Sequence, residues 1–467
     1  MPLWIFSLLG RFVPSLVLVG FTLTTLGYFI FGDVDVSHAF WGIFAFRYTR
    51  LLVHCIAYFC YRPAPVHDHP FYQAKDCTVA IPTVDPSTKD FIECIACICR
   101  NEPRSVIVVS VSKEYEMLAE ASLAQLRHQY PQINWRILST EEANKRLQIG
   151  RDVGDIDTNI TFLVDAGVFW GPNFLTSALA PFEDIGVYLV GTNKRVRVST
   201  RDNLERFLPV NFLFNFFGST YLGRHNFEIR ATNTIDGGLF AVSGRTMGIR
   251  TAFLRDEQIL HGFLNERVSG VLELYFPWLN EPLLPDDDNY LARQVINKGH
   301  KVKIQYTKDV RVEITPQFTF PRFLQQCLRW ARSTFRSNCA SLLTERKVWC
   351  SQPWSVYAVY INGMVNFALG CDGTLIYLLH KSAYADWILP LVLWILVSKI
   401  VKLIPYFVRN PRDLVFIPAY ILFAYFHSLI RLWALFTFYS AEWSGRNLAA
   451  VNAMAKQPAT GHPVVGN

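Results

Sequence analysis

The 467-residue chain contains neither a GxGxxG nor a GxxxxGK(S/T) stretch, so it has no glycine-rich loop to cradle a phosphate at a helix start. Internal repeats and low-complexity tracts are absent as well, which removes solenoids and repeat arrays. Charge is scarce, at 18% of residues, while 51% are hydrophobic and 15% aromatic. A mean hydropathy of +0.19 is too apolar for an ordinary soluble protein. The net charge of +7 is modest and dispersed, and no nucleic-acid-binding motif is visible. Anionic lipid or an anionic substrate is therefore favoured over nucleic acid. Ten cysteines over this length are not a secreted disulfide framework. Cys94, Cys97 and Cys99 ("CIACIC") lack a second Cys or His pair at zinc spacing, and their surroundings read as a buried helix.

The apolar residues gather at the ends. Phe12 to Phe31 is an uncharged run of 20 residues, enough to cross a hydrocarbon core of roughly 30 Å. It is too long for a signal-peptide core, and no small-residue cleavage site comes after it. Ala39 to Tyr61 reads as a second span or, because Arg47 and Arg50 interrupt it, as a reentrant or interfacial helix. Ser355–His380, Trp387–Val408 and Leu414–Tyr439 are three further membrane candidates. Arg11 and Arg62 flank the first two segments and Asp33 and Asp35 lie between them, which places the amino terminus and the long middle segment in the cytoplasm. Expected regions are thus 1–62 as an N-terminal transmembrane pair, 63–345 as a cytoplasmic α/β domain with an interfacial helix at 320–340, 346–446 as a C-terminal transmembrane region, and 447–467 as a disordered tail.

In the middle segment, "CTVAIPTVD" (77–85), "SVIVVSVS" (105–112), "NWRILST" (134–140), "NITFLVDAG" (159–167) and "IGVYLVGT" (185–192) read as strands alternating with helical stretches. That alternation implies a mainly parallel sheet covered by helices, with ligands beyond the carboxyl ends of the strands. Thr83, Asp85, Ser110 and Asp165 fall on that rim. Two more stretches carry chemistry. "PDDDNYLARQVINKG" puts Asp286, Asp287 and Asp288 before a helical pattern; one acid suffices to cap the helix, which leaves another to face a pocket. "PRFLQQCLRWARSTFRSN" spaces Arg322, Gln326, Arg329, Arg332 and Arg336 along one helical stripe beside Trp330. Such a stripe suits a solvated face, anionic lipid, or a diphosphate gripped by guanidinium groups.

These residues resemble the family 2 glycosyltransferases, in particular the membrane-embedded polysaccharide synthases that include hyaluronan, chitin and cellulose synthases. Gln326, Arg329 and Trp330 match the QxxRW signature, "DDDN" falls at the acidic base motif, and "FLVDAGVFW" is similar to the metal-binding DxD strand. "NTIDGGLFAVSGRTMGIRT" looks like the segment that lines the acceptor side, and "EWSGR" (Trp443, Gly445, Arg446) resembles a membrane-proximal WGTR element. The likeness runs from Cys77 to Arg446 and is greatest to the fungal capsule and cell-wall branch. Gly167 stands where the group carries its second DxD carboxylate, and Ser110 or Ser112 where its nucleotide strand ends in Asp.

The resemblance implies a GT-A-like, Rossmann-type fold inserted between transmembrane helices, and an inverting transfer from a UDP-sugar with Mg²⁺ or Mn²⁺. Asp165 would be the metal and diphosphate ligand, Asp288 the base supported by Asp287, and Gln326, Arg329 and Trp330 the diphosphate and acceptor set. Thr83 and Asp85 would line the nucleotide pocket, and Ser243 and Gly244 the acceptor side. The implied product is a polysaccharide extruded across the plasma membrane. A single-sugar transferase to a lipid or lipophilic small molecule, and an inactive partner subunit, are the other readings. A cytoplasmic WGTR-like element also demands an even number of C-terminal crossings, so one of the three segments must be reentrant or broken, with Pro405, Pro418 and Arg431 as candidate breaks.

Overall fold

The computed structural model describes residues 3–197, 209–239, 241–268, 281–315 and 319–440. Trp443, Gly445 and Arg446 and the expected tail at 447–467 lie outside these. Two long helices open the chain, α1 (Leu3–Leu26), extended by a wide turn to Phe31, and α2 (Val36–Cys60). Gly32 adopts a left-handed φ of 74° at the turn, a conformation that favours glycine. The Asp35 carboxylate then caps α2 by accepting the Ser37 N–H at 2.7 Å.

The sheet comprises β1 (Cys77–Pro82), β2 (Ser105–Val111), β3 (Asn134–Thr140), β4 (Ile160–Val164), β5 (Val168–Phe169), β6 (Val187–Val196), β7 (Thr246–Arg250), β8 (Lys301–Gln305) and β9 (Arg311–Ile314). Its order is β3-β2-β1-β4-β7-β6-β9-β5, with β8 also on β6. β1, β2, β3 and β4 pair in parallel; the near-continuous apolar runs of β1, β2 and β4 are what strands covered on both faces require, while β3, at the edge, is only partly buried. β7 runs antiparallel between β4 and β6, which makes this a mixed, GT-A-like sheet. The five expected strands are present. β5, β7, β8 and β9 are too short or too polar to announce themselves by periodicity.

Helices α3 (Lys89–Cys99), α4 (Ser112–Gln129), α5 (Lys145–Gly150), α6 (Phe174–Leu179), α7 (Pro209–Asp236), α8 (Thr251–Leu254) and α9 (Glu257–Leu264) connect the strands. Cys94, Cys97 and Cys99 on α3 are free thiols buried in the core, as their pattern predicts. α10 (Asp287–Asn297) and α11 (Phe320–Cys339) complete the site, and short turns α12 (Val348–Ser351), α13 (Pro353–Ser355) and α14 (Asn362–Val365) lead to α15 (Ala368–Lys381), α16 (Ile388–Val401), α17 (Ile404–Arg409) and α18 (Ile417–Phe436).

By length and composition three segments are able to cross a membrane: Phe12–Phe31, Val36–Cys60 and Pro411–Phe436. The segment 355–380 breaks between α14 and α15, and 387–408 breaks after α16, where Pro405 sits in the first turn of α17. Pro418 likewise occupies the first turn of α18. Arg431 does not break its own helix. Its guanidinium donates to the carbonyls of Gly363 and Asn366, at the place where the neighbouring segment is interrupted. α18 lies side by side with α11: Phe423 meets Phe323 near one end at 5.3 Å, and Ala434 meets Ala331 and Phe335 near the other.

Arg146 of α5, 1% exposed, ties three segments behind the site. It donates to the carbonyls of Phe263 and Pro285, both at 2.8 Å, and to Glu266 at 2.6 Å. Arg146→Met would leave the Phe263 and Pro285 carbonyls without this donor and Glu266 with Arg293 as its remaining cation. Its expected cost is about 1–3 kcal/mol, seen as a fall of a few degrees in the thermal unfolding midpoint in detergent.

Candidate active site

β1 and β4 end side by side, and the residues just beyond their carboxyl ends form the floor of a cleft of about 850 Å³. Ten of the residues singled out from the sequence line it: Thr83, Asp85, Asp165, Ser243, Gly244, Asp287, Asp288, Gln326, Arg329 and Trp330. Thr83 is buried, with its N–H on the Val109 carbonyl, whereas Asp85 is exposed at the rim and accepts from Ser87. Ser110 does not belong to this wall. Its hydroxyl turns to the Leu138 carbonyl at 3.2 Å, because the side chain at that register points away from the cleft.

Asp165 comes directly after the last residue of β4 and is met by a residue that no sequence motif marks. Lys145, the first residue of α5, places Nζ 2.7 Å from Asp165 and 2.8 Å from Asp287. Burial opposes ionisation of Asp165, but Lys145, Arg245 and Arg329 outweigh it and hold the carboxyl below its ordinary value. Burial likewise opposes the Lys145 charge, and the two carboxylates override it, raising the ammonium's pKa. One signal was available: Asn144 caps α5 by accepting the Arg146 N–H at 3.0 Å, and a lysine directly after a helix cap runs against the helix dipole.

The acidic run divides its labour. Asp286, with a left-handed φ of 68°, makes no side-chain cap to α10. It accepts instead from Ser333 and from Arg336 Nε at 2.9 Å, and although burial works the other way, Arg336 and Ser333 depress its pKa. Asp287 goes to Lys145. Asp288 accepts the Gly244 N–H at 2.6 Å and the Asn289 N–H at 2.9 Å. Burial, reinforced by Asp287 and Asp286, raises Asp288 to about 6 against the pull of Lys145. A carboxylate of that strength is suited to take a proton near neutral pH.

The arginine stripe of α11 is not one solvated or lipid-facing surface. Gln326 and Arg329 line the cleft, while Arg332 donates to Thr437 and Ser440, and Arg336 to Asp286 and the Phe438 and Ser440 carbonyls. Trp330 stacks on Tyr221 of α7 with centroids 4.6 Å apart. Lys194 and His225 add a pair that nothing in the sequence marked. Lys194 Nζ lies 3.2 Å from His225 Nε2 and donates to the Val242 carbonyl at 3.0 Å. Burial lowers Lys194 to about 7, against the attraction of Asp288.

The place between Asp165 and Asp287 suits a cation, since two carboxylates converge on one ammonium there. Among the described residues no group of three or more His, Cys, Asp or Glu side chains could hold a metal ion. Gly167, at φ 87°, leaves open space where a second DxD carboxylate would stand. A divalent ion fits here only if Asp165 shares it with water and donor phosphates, a coordination that Mg²⁺ accepts.

The profile of the glycosyltransferase-like family 2 matches residues 75–333. A type 2 glycosyltransferase of Gibberella zeae is 35% identical over 431 residues, covering 89% of this chain and 77% of its own. The hyaluronan synthase of Streptococcus pyogenes is 24% identical over 303 residues, 63% of this chain and 64% of that enzyme. Among solved structures, the Pyrobaculum calidifontis mannosyltransferase in complex with GDP-Man and Mn²⁺ aligns with a TM-score of 0.46 at 14% identity, covering 89% of this chain and 99% of that one.

A side chain at Gly244 would displace the tip of Lys145. A Cβ there would lie 2.9 Å from Lys145 Nζ and 3.4 Å from Asp287 Oδ2. Gly244→Ala is expected to fold normally, and to lose roughly 10²-fold in kcat/KM, the penalty of a displacement near 1 Å among reacting groups. Steady-state kinetics beside a circular-dichroism melt check both halves.

Proposed function

Because the chain belongs to the family 2 glycosyltransferases, enzymes that use a nucleotide sugar, we propose that it transfers sugar from a UDP-linked donor, with inversion, to the hydroxyl of an acceptor, and that it builds a cell-surface polysaccharide. The observation that carries this is Asp288, raised to about 6 and fixed by the Gly244 N–H between the donor rim and Trp330.

The donor's nucleotide lies along Thr83 and Asp85, and its diphosphate lies over Lys145, Arg245 and Arg329. Mg²⁺ or Mn²⁺, when bound at Asp165, supplies further positive charge to the leaving diphosphate. Asp288 accepts the proton of the acceptor hydroxyl as that oxygen attacks the anomeric carbon. Arg329 and Lys145 stabilise the negative charge that develops on the departing diphosphate, and Gln326 and Trp330 hold the acceptor. The inactive-partner reading finds no support in a site where acid, cations and aromatic platform converge on one cleft. Single-sugar transfer to a lipophilic molecule uses the same groups, and product length separates the two: a ladder or high polymer for the synthase, one added sugar for the alternative.

The membrane arrangement rests on two hairpins. Val36, Ala39 and Phe40 at the α1–α2 turn pack with Leu378, Leu379 and Ile388 at the α15–α16 turn, so both turns lie together at one end of the bundle. The chain on either side of α18 returns to the catalytic half: Arg409, the last residue of α17, faces Arg195, and Ser440, just past α18, accepts from Arg332 and Arg336. In this reading α1 and α2 cross the plasma membrane, the broken segments 355–380 and 387–408 cross as a second hairpin because α15 and α16, of 14 residues each, are too short to cross alone, and α18, although long enough to cross, lies flat along α11. Two C-terminal crossings then satisfy the parity that the WGTR-like element demands.

Two experiments test these readings. UDP release from a panel of UDP-sugars with Mn²⁺ or Mg²⁺ is expected with one sugar, with kcat/KM climbing through about pH 6 as Asp288 loses its proton; Asp288→Asn is expected to lose about 10²–10⁴-fold, and Asp165→Ala to lose turnover. A flat profile between about pH 5 and 7, or an active Asp288→Asn, refutes the base assignment. For topology, a glycosylation sequon placed at residues 383–386 is expected to be modified in cells and one placed after Val465 to stay bare. A modified carboxyl terminus would mean that α18 crosses.

A further inference from the structure

Lys194 of β6 lines the cleft, is only 3% exposed, and takes no part in the transfer as derived above. Asn226 of α7 clamps its backbone from both sides, accepting the Lys194 N–H at 3.1 Å and donating to its carbonyl at 2.6 Å. The side chain is fixed as firmly. Nζ donates to the Val242 carbonyl at 3.0 Å and lies 3.2 Å from His225 Nε2. In its ammonium form Lys194 can only donate, so that ring nitrogen accepts. His225 in turn hydrogen-bonds the Ala241 backbone. Two side chains from two elements thus hold consecutive residues of one loop.

That loop makes the contact on which Asp288 depends. Val242 is fully buried among Leu189, Met247 and Ile304. Directly after it Ser243 takes a left-handed φ of 81°, a conformation uncommon for a residue that carries a side chain. The turn sends the next N–H, that of Gly244, to Asp288 at 2.6 Å. Beyond it the Arg245 carbonyl accepts the Asp165 N–H at 3.0 Å. Backbone held in such a region persists only where its surroundings over-determine it. On the far side the strand end supplies that restraint, and on the near side Lys194 and His225 do.

An apolar side chain would fill position 194 without the cost of taking an ammonium out of water. Asp288 faces Lys194, but among the described residues no carboxylate pairs with it, so its direct contacts are with the loop and His225. The other charged groups that face Asp288 are Asp286 and Asp287 of its own run, Lys145 of α5 and Arg329 of α11. Of these, Lys145 reaches the Gly244 carbonyl at 3.5 Å, from the donor half, which leaves Lys194 as the cation on the Val242 side of the turn.

We propose that Lys194, seated by His225, is a positioning residue: it holds the turn from Ala241 to Gly244 in its left-handed form, so that the Gly244 N–H keeps Asp288 aimed at the acceptor hydroxyl. Its catalytic consequence rests on Asp288 being the base, whereas the clamp itself is tested without turnover. Lys194→Met is prepared in the full chain, purified in detergent, and hydrogen exchange is followed by mass spectrometry in peptides that span residues 241–245.

Exchange there is expected to be roughly tenfold faster or more, the effect of losing one hydrogen bond's worth of restraint, with peptides from β1 and β2 unchanged. In UDP-release assays kcat is expected to fall by roughly tenfold or more, while the affinity for UDP, measured by calorimetry, is expected to hold because Lys145 and Arg329 keep their places. His225→Leu, which leaves the lysine but removes its second partner, is expected to move exchange and kcat in the same direction by less, and it decides the matter should Lys194→Met not fold. Unchanged exchange in the folded variants overturns the proposal. A loss of UDP affinity as large as the loss of kcat also overturns it, because the lysine would then be supporting the site as a whole. Faster exchange in Lys194→Met beside a fully active Asp288→Asn would sink the base assignment and leave the clamp standing.

Discussion

A single ammonium group joins the two halves of this site. Lys145 stands between Asp165, at the end of the parallel strands, and Asp287, at the start of α10. Asp287 is buried and Lys145 and Asp165 are partly so, and charges drawn out of water are tolerated only where attraction exceeds the desolvation cost. The directions of the shifts show which effect wins: Asp165 is held acidic and Lys145 is held protonated despite burial. The pairing also fixes distance, because a lysine that touches both carboxylates keeps the donor rim and the acidic run within one side chain of each other.

From that constraint the differentiation of the acidic run emerges. Three consecutive aspartates would repel one another if all faced the same medium. The left-handed backbone at Asp286 sends the first towards Arg336, Lys145 claims the second, and the third, among the described residues, is left with backbone N–H groups and no cation of its own in contact. Asp288 consequently keeps the raised pKa that a general base needs, while Arg336 and Ser333 hold the Asp286 carboxyl below its ordinary value. The division comes from placement, since the three side chains are chemically identical.

Much of this was legible in the sequence, and what was not has a common cause. The parallel strands show as apolar runs, the cysteine-rich helix as core, and Gln326, Arg329 and Trp330 by their spacing, because each signal is local. β7 escaped because its five residues carry no alternation long enough to read. Lys145, Arg245, Lys194 and His225 escaped because their roles depend on contacts between segments distant in the chain, such as the 3.2 Å approach of Lys194 to His225. The arginine stripe was visible as a pattern but misleading as a surface: an α-helix with a step of about 100° presents these residues within one broad sector, and α10, α18 and the cleft divide that sector among them. The acidic triplet had the opposite difficulty. Its count exceeded the needs of a helix cap, yet only the backbone turn at Asp286 shows that this residue makes no side-chain cap at all.

α11 is where the membrane part and the chemistry become one structure. Its Phe323 and Cys327 are buried against α7, α17 and α18, its Gln326, Arg329 and Trp330 reach the cleft, and its Arg336 holds Asp286 while reaching the residues just past α18. A displacement of α18 therefore acts on Arg336, and through it on the turn that aims Asp287 and Asp288. Among the described residues no comparable link joins α18 to the strand end at Asp165, so the apolar C-terminal helices bear on the acidic run more directly than on Asp165. The two walls of the cleft are thus anchored differently, Asp165 on the sheet and the acidic run on the helices packed around α11.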